Sequence, residues 1–146
     1  MINYLTEQVK FDLRDKRKIS DWIKETIREE TTGNKVVGDI AIVFTSDEYL
    51  REINIKFLKK DYYTDIISFD NSTEKKISGD LIISKERVKE NSIQYSQSFC
   101  DELHRVVIHG ILHILGYNDL IESEKEIMSK KEDYYLAKRG WINNAI

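Results

Sequence analysis

Proline is absent from this 146-residue chain. No helix can therefore be stopped or kinked by an imide ring, and helix ends must be set by glycine and by capping side chains. Cysteine occurs once, at Cys100. That excludes an internal disulfide and fits a reducing cytoplasm, the expected location. No apolar run approaches the roughly 18 residues that cross a bilayer. Met1 to Glu7 lacks the basic-then-apolar pattern of a secretory leader, so neither a signal peptide nor a membrane partner is expected. Neither sign of charge dominates: 23 Lys and Arg stand against 26 Asp and Glu, a net charge of −3. This argues against a protein coated in nucleic acid, while a local basic groove stays compatible with it. Repeats, low-complexity tracts and Gly/Ser linkers are missing as well, which points to one domain over residues 1–146. A chain of this size buries roughly 70% of its unfolded surface, enough for one core.

What is present reads as an alternation of strands and helices. Ile2 to Leu5 suits a short first strand. Asp15 to Glu30 carries Ile19, Trp22, Ile23 and Ile27 on one helical stripe, and Gly33-Asn34 stops it. Val36 to Phe44 is β-branched and aromatic with few charges, as in a largely buried strand. Thr45-Ser46-Asp47-Glu48 resembles a capping box opening a helix to about Leu58, with Leu50, Ile53 and Phe57 inward. Asp65 to Phe69 and Leu81 to Ile83 read as strands, the second entered from Ile77 or Ser78. Ser84 caps a helix to about Asn91. Phe99 to Leu115 is apolar nearly all round, which predicts a central helix. Ser123 to Arg139 is the last helix, with Gly140 as its stop. The order β-α-β-α-β-β-α-α-α predicts an α+β (mixed α/β) fold, with a small mixed sheet packed by helices.

Chemistry concentrates on the central helix, which holds the whole histidine complement: His104, His109 and His113. At about 100° per residue, His109 and His113 share a face, while His104 points away and is expected to be a core or helix-face histidine. Gly116 permits a left-handed residue past the helix end, and the chain can turn back to bring Asp119 over the last turn. His109, His113 and Asp119 thus form a candidate three-ligand metal site with a position left open, the catalytic rather than the structural pattern. The spacing is metzincin-like. A metzincin protease, however, places a glutamate beside the first histidine as general base, and here that position is Gly110, which counts against proteolysis.

The stretch His109-Gly110-Ile111-Leu112-His113-Ile114-Leu115-Gly116-Tyr117-Asn118-Asp119 resembles the H-G-x-L-H-x-x-G-Y-x-H motif of the YbeY family, with Asp119 in place of the last histidine. Glu124 and Met128 fall on that family's E-x-x-x-M, and Met128 is expected in the core. A second block, Asn54 to Phe69, is similar to N-x-x-Y/F-R-x-K-D-x-P-T-D/N-V-L-S-F. A third, Gly79-Asp80-Leu81-Ile82-Ile83, is similar to G-D-I/L-x-I. The resemblance runs from about Val36 to Met128. It implies a metzincin-like metal helix at the centre of the fold and a single-strand-specific, metal-dependent endoribonuclease. The implied work is rRNA maturation at the 16S 3′ end and ribosome quality control. One Zn²⁺ per chain is implied, held by His109, His113 and Asp119. The implied partners are single-stranded RNA, rRNA, the ribosomal subunit and its associated proteins, and not DNA.

Two positions depart from the family pattern. Its arginine, implicated in catalysis, falls on Leu58, and its proline on Tyr63. Guanidinium grips phosphate bidentately and leucine does not. Lys59 and Lys60, with Lys56, are candidates to supply the missing charge, and equally read as a solvated helix end. Thr64, Asp65 and Ser68 are candidates to line a substrate groove, and Thr64 and Ser68 equally read as satisfying backbone groups at strand ends. A metal in such a site polarises a phosphoryl oxygen or lowers the pKa of water toward about 7. The attacking group is then either water or the RNA 2′-hydroxyl. Two further readings stay open at this point: a metallohydrolase of peptides or esters, and a ribosome assembly factor whose metal is structural.

Overall fold

The computed structural model describes residues 1–142. Its elements are β1 (Ile2–Thr6), α1 (Lys16–Glu30), β2 (Val36–Thr45), α2 (Asp47–Leu58), β3 (Ile66–Asp70), β4 (Lys76–Ser84), α3 (Lys85–Gln94), α4 (Phe99–Ile114) and α5 (Glu122–Leu136). This is the mixed arrangement that the alternation of patterns predicts. The strands form one sheet in the order β1-β2-β4-β3, with β1, β2 and β4 parallel and β3 antiparallel to β4. The short link between β3 and β4 permits only antiparallel pairing, whereas the parallel pairs need crossovers that carry helices. In that register Ile67 faces Ile82 and Phe69 faces Asp80.

Serine opens three of the helices. Ser46, Ser84 and Ser98 accept from the backbone N–H of Tyr49, Arg87 and Asp101 respectively, each cap worth about 1 kcal/mol. The expected box at 45–48 is thus a single serine cap. Thr45 Oγ1 instead donates to the Glu7 carbonyl (2.7 Å), and Glu48 takes the Tyr63 hydroxyl. At the other ends, Gly33 and Gly116 take positive φ, as expected of stops. The last helix ends at Leu136, short of the expected Arg139. Arg139 Nε donates to the Leu136 carbonyl (2.9 Å), closing the helix while its guanidinium folds back over α4.

One core joins Ile19, Ile23 and Ile27 of α1, Ile40, Ile42 and Phe44 of β2, Leu81 and Ile83 of β4, and Ile108, Ile111 and Leu112 of α4. Each such side chain contributes roughly 1.5–3 kcal/mol on burial. Only one face of β2 is fully buried, so the strand alternates where its composition suggested burial on both sides. The inward face of α2 also differs from expectation. Leu50 and Asn54 are its buried residues, Ile53 is half-buried and Phe57 is 58% exposed. Asn54 takes the inward place because its Nδ2 donates to the Tyr62 carbonyl (3.1 Å), tying down the loop that leads to β3.

Helix α4 runs through the middle, touching α1, α3, α5, β3 and β4. Its approach to the sheet explains Gly110. A Cβ at that position would lie 2.6 Å from Ile66 Cδ1 and 2.8 Å from Leu81 Cδ2. The position beside His109 faces the sheet, and a side chain there would have to displace the ends of Ile66 and Leu81. Met128 is buried in the core, as expected. Among the described residues no helix is long and apolar enough to cross a membrane.

Candidate metal centre and groove

His109 and His113 lie one turn apart on α4, their rings 4.5 Å apart at 83°. Beyond Leu115 the chain reverses at Gly116, with φ 108°. Gly116 N–H donates to the His113 carbonyl and Tyr117 N–H to the Leu112 carbonyl, both at 3.0 Å. This paired closure is the Schellman ending that glycine favours. It returns Asp119 to the two histidines, with Oδ2 3.2 Å from His109 Nε2 and 3.4 Å from His113 Nε2. The two Nε2 atoms are 3.0 Å apart. Among the described residues these are the one set of three donors close enough to share a metal.

The second nitrogen of each ring is committed elsewhere. His109 Nδ1 donates to Glu132 Oε2 at 2.6 Å, and His113 Nδ1 donates to the Tyr117 carbonyl at 2.9 Å. Both Nε2 atoms therefore present lone pairs, and a carboxylate oxygen joins them. Three electron-rich atoms at 3.0–3.4 Å repel one another unless a positive charge sits among them. Ligand bonds of about 2.0–2.2 Å in a tetrahedron put donors about 3.3–3.6 Å apart. The trio thus fits a small divalent ion with little adjustment.

Glu132 was not apparent from the sequence. It is buried, and its Oε1 takes Arg105 Nη1 at 2.9 Å, while Arg105 Nη2 reaches Asp133 at 2.7 Å. A carboxylate behind a ligating histidine fixes its tautomer and orientation and raises its basicity. Burial alone would hold His109 below its ordinary pKa. The hydrogen bond and charge of Glu132, joined by Asp119 and Asp65, outweigh burial and hold it above. The signal that could have revealed Glu132 is its place on the buried stripe Met128, Glu132, Tyr135 of α5, where an acid needs a partner.

His104 is turned away, as helical geometry predicted. It is 2% exposed and packs between Trp22 and Trp141. Its Nδ1 accepts from Arg139 Nη1 at 2.8 Å. Burial, then the Arg139 charge, push its pKa down to about 4, so the ring is neutral.

A groove of about 510 Å³ opens onto the donor trio. Lys60, Thr64, Asp65 and Ser68 line it beside His109, His113 and Asp119, together with Leu58 and Tyr62. Lys59 is outside this lining; it ends α2 in a left-handed conformation and its Nζ donates to the Lys56 carbonyl (3.5 Å). Thr64 Oγ1 donates to the Ile66 carbonyl at 3.4 Å. The buried Ser68 hydroxyl oxygen has no partner among the described residues. Asp65 receives Asn91 Nδ2 at 3.3 Å, and burial raises its pKa against the pull of His109.

Fold and site together define a class: a small α+β protein whose central helix presents two histidines, joined by an aspartate from the following turn, at the base of a groove. Comparison with known proteins narrows the class to a family. The model of the family described as Endoribonuclease YbeY matches residues 1–140, and the chain belongs to that family. Among its relatives is Endoribonuclease YbeY of Karelsulcia muelleri, 48% identical over 136 residues, covering 93% of this chain and 94% of that one. The Bacteroides fragilis protein of the same name is 46% identical over 138 residues, covering 94% and 97%. A solution structure from Thermotoga maritima shares the fold, with a TM-score of 0.58 and 24% identity over 95% of this chain and 89% of that one.

Proposed function

We propose that this chain is a metal-dependent endoribonuclease that cleaves single-stranded RNA at the groove over His109, His113 and Asp119, acting in maturation of the 16S rRNA 3′ end. The observation that carries the reading is the convergence of two imidazole nitrogens and one carboxylate oxygen within 3.4 Å at the base of an open groove. Residues 1–146 act as one catalytic domain in the cytoplasm, with rRNA and the ribosomal subunit as partners. Zinc suits a mixed nitrogen and oxygen donor set. A bound divalent ion supplies Lewis-acid activation of the phosphoryl group and of the attacking oxygen.

The chain's own residues do the rest. Glu132 and the Tyr117 carbonyl orient the two imidazoles. Lys60 provides positive charge along the groove, where Leu58 provides none. Ser68 lines the groove, but its hydroxyl oxygen is buried beneath the surface and reaches no substrate without a shift of its neighbours. Asp65 lines the groove beside His109, with burial raising its pKa and Asn91 Nδ2 bonded to its carboxylate. Peptide hydrolysis lacks its general base: the position beside His109 is a glycine pressed against the sheet. Incubation with a labelled single-stranded RNA tests the reading. Cleavage should be lost on chelation and restored by zinc, while duplex RNA should resist. Cyclic phosphate ends would identify the 2′-hydroxyl as nucleophile, and 5′-phosphate ends would identify water. Chelator-resistant cleavage would refute the metal role.

A further inference from the structure

Glu30 closes helix α1, far along the chain from the donor trio, yet its side chain is only 8% exposed and its carboxylate is fully engaged. Oε1 accepts from the Tyr117 hydroxyl at 2.5 Å. Oε2 accepts from Lys131 Nζ at 3.0 Å and from the Tyr135 hydroxyl. These donors come from two places, the turn after α4 and helix α5. Tyr117 is the point at which the clamp meets the site. Its carbonyl receives His113 Nδ1, its N–H closes the end of α4, and it precedes Asp119 by two residues. The residue before it is the left-handed Gly116, whose backbone offers no stiffness of its own. Lys131 Nζ also lies 5.7 Å from the centre of the Tyr117 ring. Its neighbour Glu132 holds His109. A single buried carboxylate thereby ties the turn that carries both the His113 acceptor and the third donor to the helix that carries the His109 acceptor.

We propose that Glu30 is a positioning residue for the metal centre: through the Tyr117 hydroxyl it sets the height of the Tyr117 carbonyl under His113 and the reach of Asp119. The proposal rests on the metal reading of His109, His113 and Asp119. Removing the clamp leaves all three donors in place and loosens the turn that delivers them. Outer partners of metal ligands typically govern about 10–100-fold in affinity, and a residue acting one contact further out belongs at the lower end.

Cobalt(II) binding tests this without recourse to catalysis. Titration gives a dissociation constant, and visible absorption reports ligand geometry. Wild type, Glu30→Ala, Glu30→Gln and Tyr117→Phe are compared, with metal-free thermal stability measured on each. Glu30→Ala and Tyr117→Phe should each weaken cobalt binding about ten-fold and alter the spectrum. Their combination should be no weaker than the worse single variant, because both break the same link. Glu30→Gln keeps one acceptor oxygen for the Tyr117 hydroxyl but turns its amide toward Lys131 Nζ, donor against donor, and should recover only part of the affinity. Should Glu30→Ala fail to fold, Tyr117→Phe carries the test, since it removes one oxygen. Wild-type affinity and spectrum in Tyr117→Phe, or in a folded Glu30→Ala, would overturn the role of Glu30, even if stability fell. A wild-type protein that binds no cobalt would instead overturn the metal reading itself.

Discussion

Replacing Glu132 with glutamine isolates the contribution of the buried carboxylate behind His109. The two side chains have nearly the same volume, so the buried place between Met128 and Tyr135 on the α5 stripe stays filled. The hydrogen bonding cannot be. Glu132 accepts twice, from His109 Nδ1 at 2.6 Å and from Arg105 Nη1 at 2.9 Å. Glutamine has one acceptor oxygen and one amide nitrogen that only donates. If the oxygen serves His109, the amide faces the Arg105 guanidinium, donor against donor. If it serves Arg105, the amide faces the His109 Nδ1 proton. Arg105 has a second partner in Asp133 at 2.7 Å and can turn toward it, which favours the first arrangement. His109 then keeps a hydrogen bond but loses the negative charge that raises its basicity. The expected result is a 10–100-fold loss of zinc affinity, about 1.4–2.7 kcal/mol. Competition against a chromophoric chelator measures it directly, with circular dichroism to confirm the fold. Unchanged affinity in a folded Glu132→Gln protein would refute the argument that this carboxylate tunes the site.

Further predictions follow from the same geometry. His104 is buried neutral with a pKa near 4 in the folded chain and titrates near 6.5 when unfolded. The unfolded state therefore binds the extra proton between these values, and stability falls as pH drops through that window. At about pH 5 the loss is about 2 kcal/mol relative to alkaline pH, read by urea denaturation; a His104→Gln variant should show a correspondingly flatter profile. Gly110→Ala forces a Cβ to 2.6 Å from Ile66 Cδ1. Overpacking costs about 1–3 kcal/mol, against about 1 kcal/mol of helix propensity gained, so thermal denaturation should shift downward; an unchanged or raised midpoint would contradict the packing. Lys60→Ala should weaken RNA binding and flatten its log–log salt dependence by about 0.7. Lys59→Ala, outside the groove lining, should leave that slope nearly unchanged, and equal effects of the two would show that the groove lining does not select between them.

The parts of this molecule that read most clearly from sequence are those set by local periodicity. The stripe Ile19, Trp22, Ile23, Ile27 specifies the buried face of α1, and each of the four is buried as expected. The donor trio was legible for a similar reason. An i, i+4 pair and a glycine reversal are local geometry, and Gly116 supplies the reversal at the expected place. Partnerships across the fold were not legible. Glu132 lies 23 residues beyond His109 in a largely polar helix, and only the packing of α5 on α4 brings the two together. Phe57 looked like a core residue, yet the inward place went to Asn54, whose amide is needed by a loop eight residues on. Gly110 carried a meaning that spacing could not reveal. It marks a close approach of α4 to the sheet, where a larger side chain would press on Ile66 and Leu81.

The proposed dependence of RNA cleavage on a metal held by His109, His113 and Asp119 is tested by measuring bound metal and single-stranded RNA cleavage together, on the same preparations of wild type, chelator-treated wild type, zinc-restored wild type and Asp119→Ala. Wild type should carry about one transition-metal ion per chain, lose cleavage on chelation and regain it with zinc, while Asp119→Ala should lose both metal and cleavage severely. Cleavage that persists in metal-free protein, or a full complement of metal retained by both Asp119→Ala and His109→Ala, would contradict the proposal.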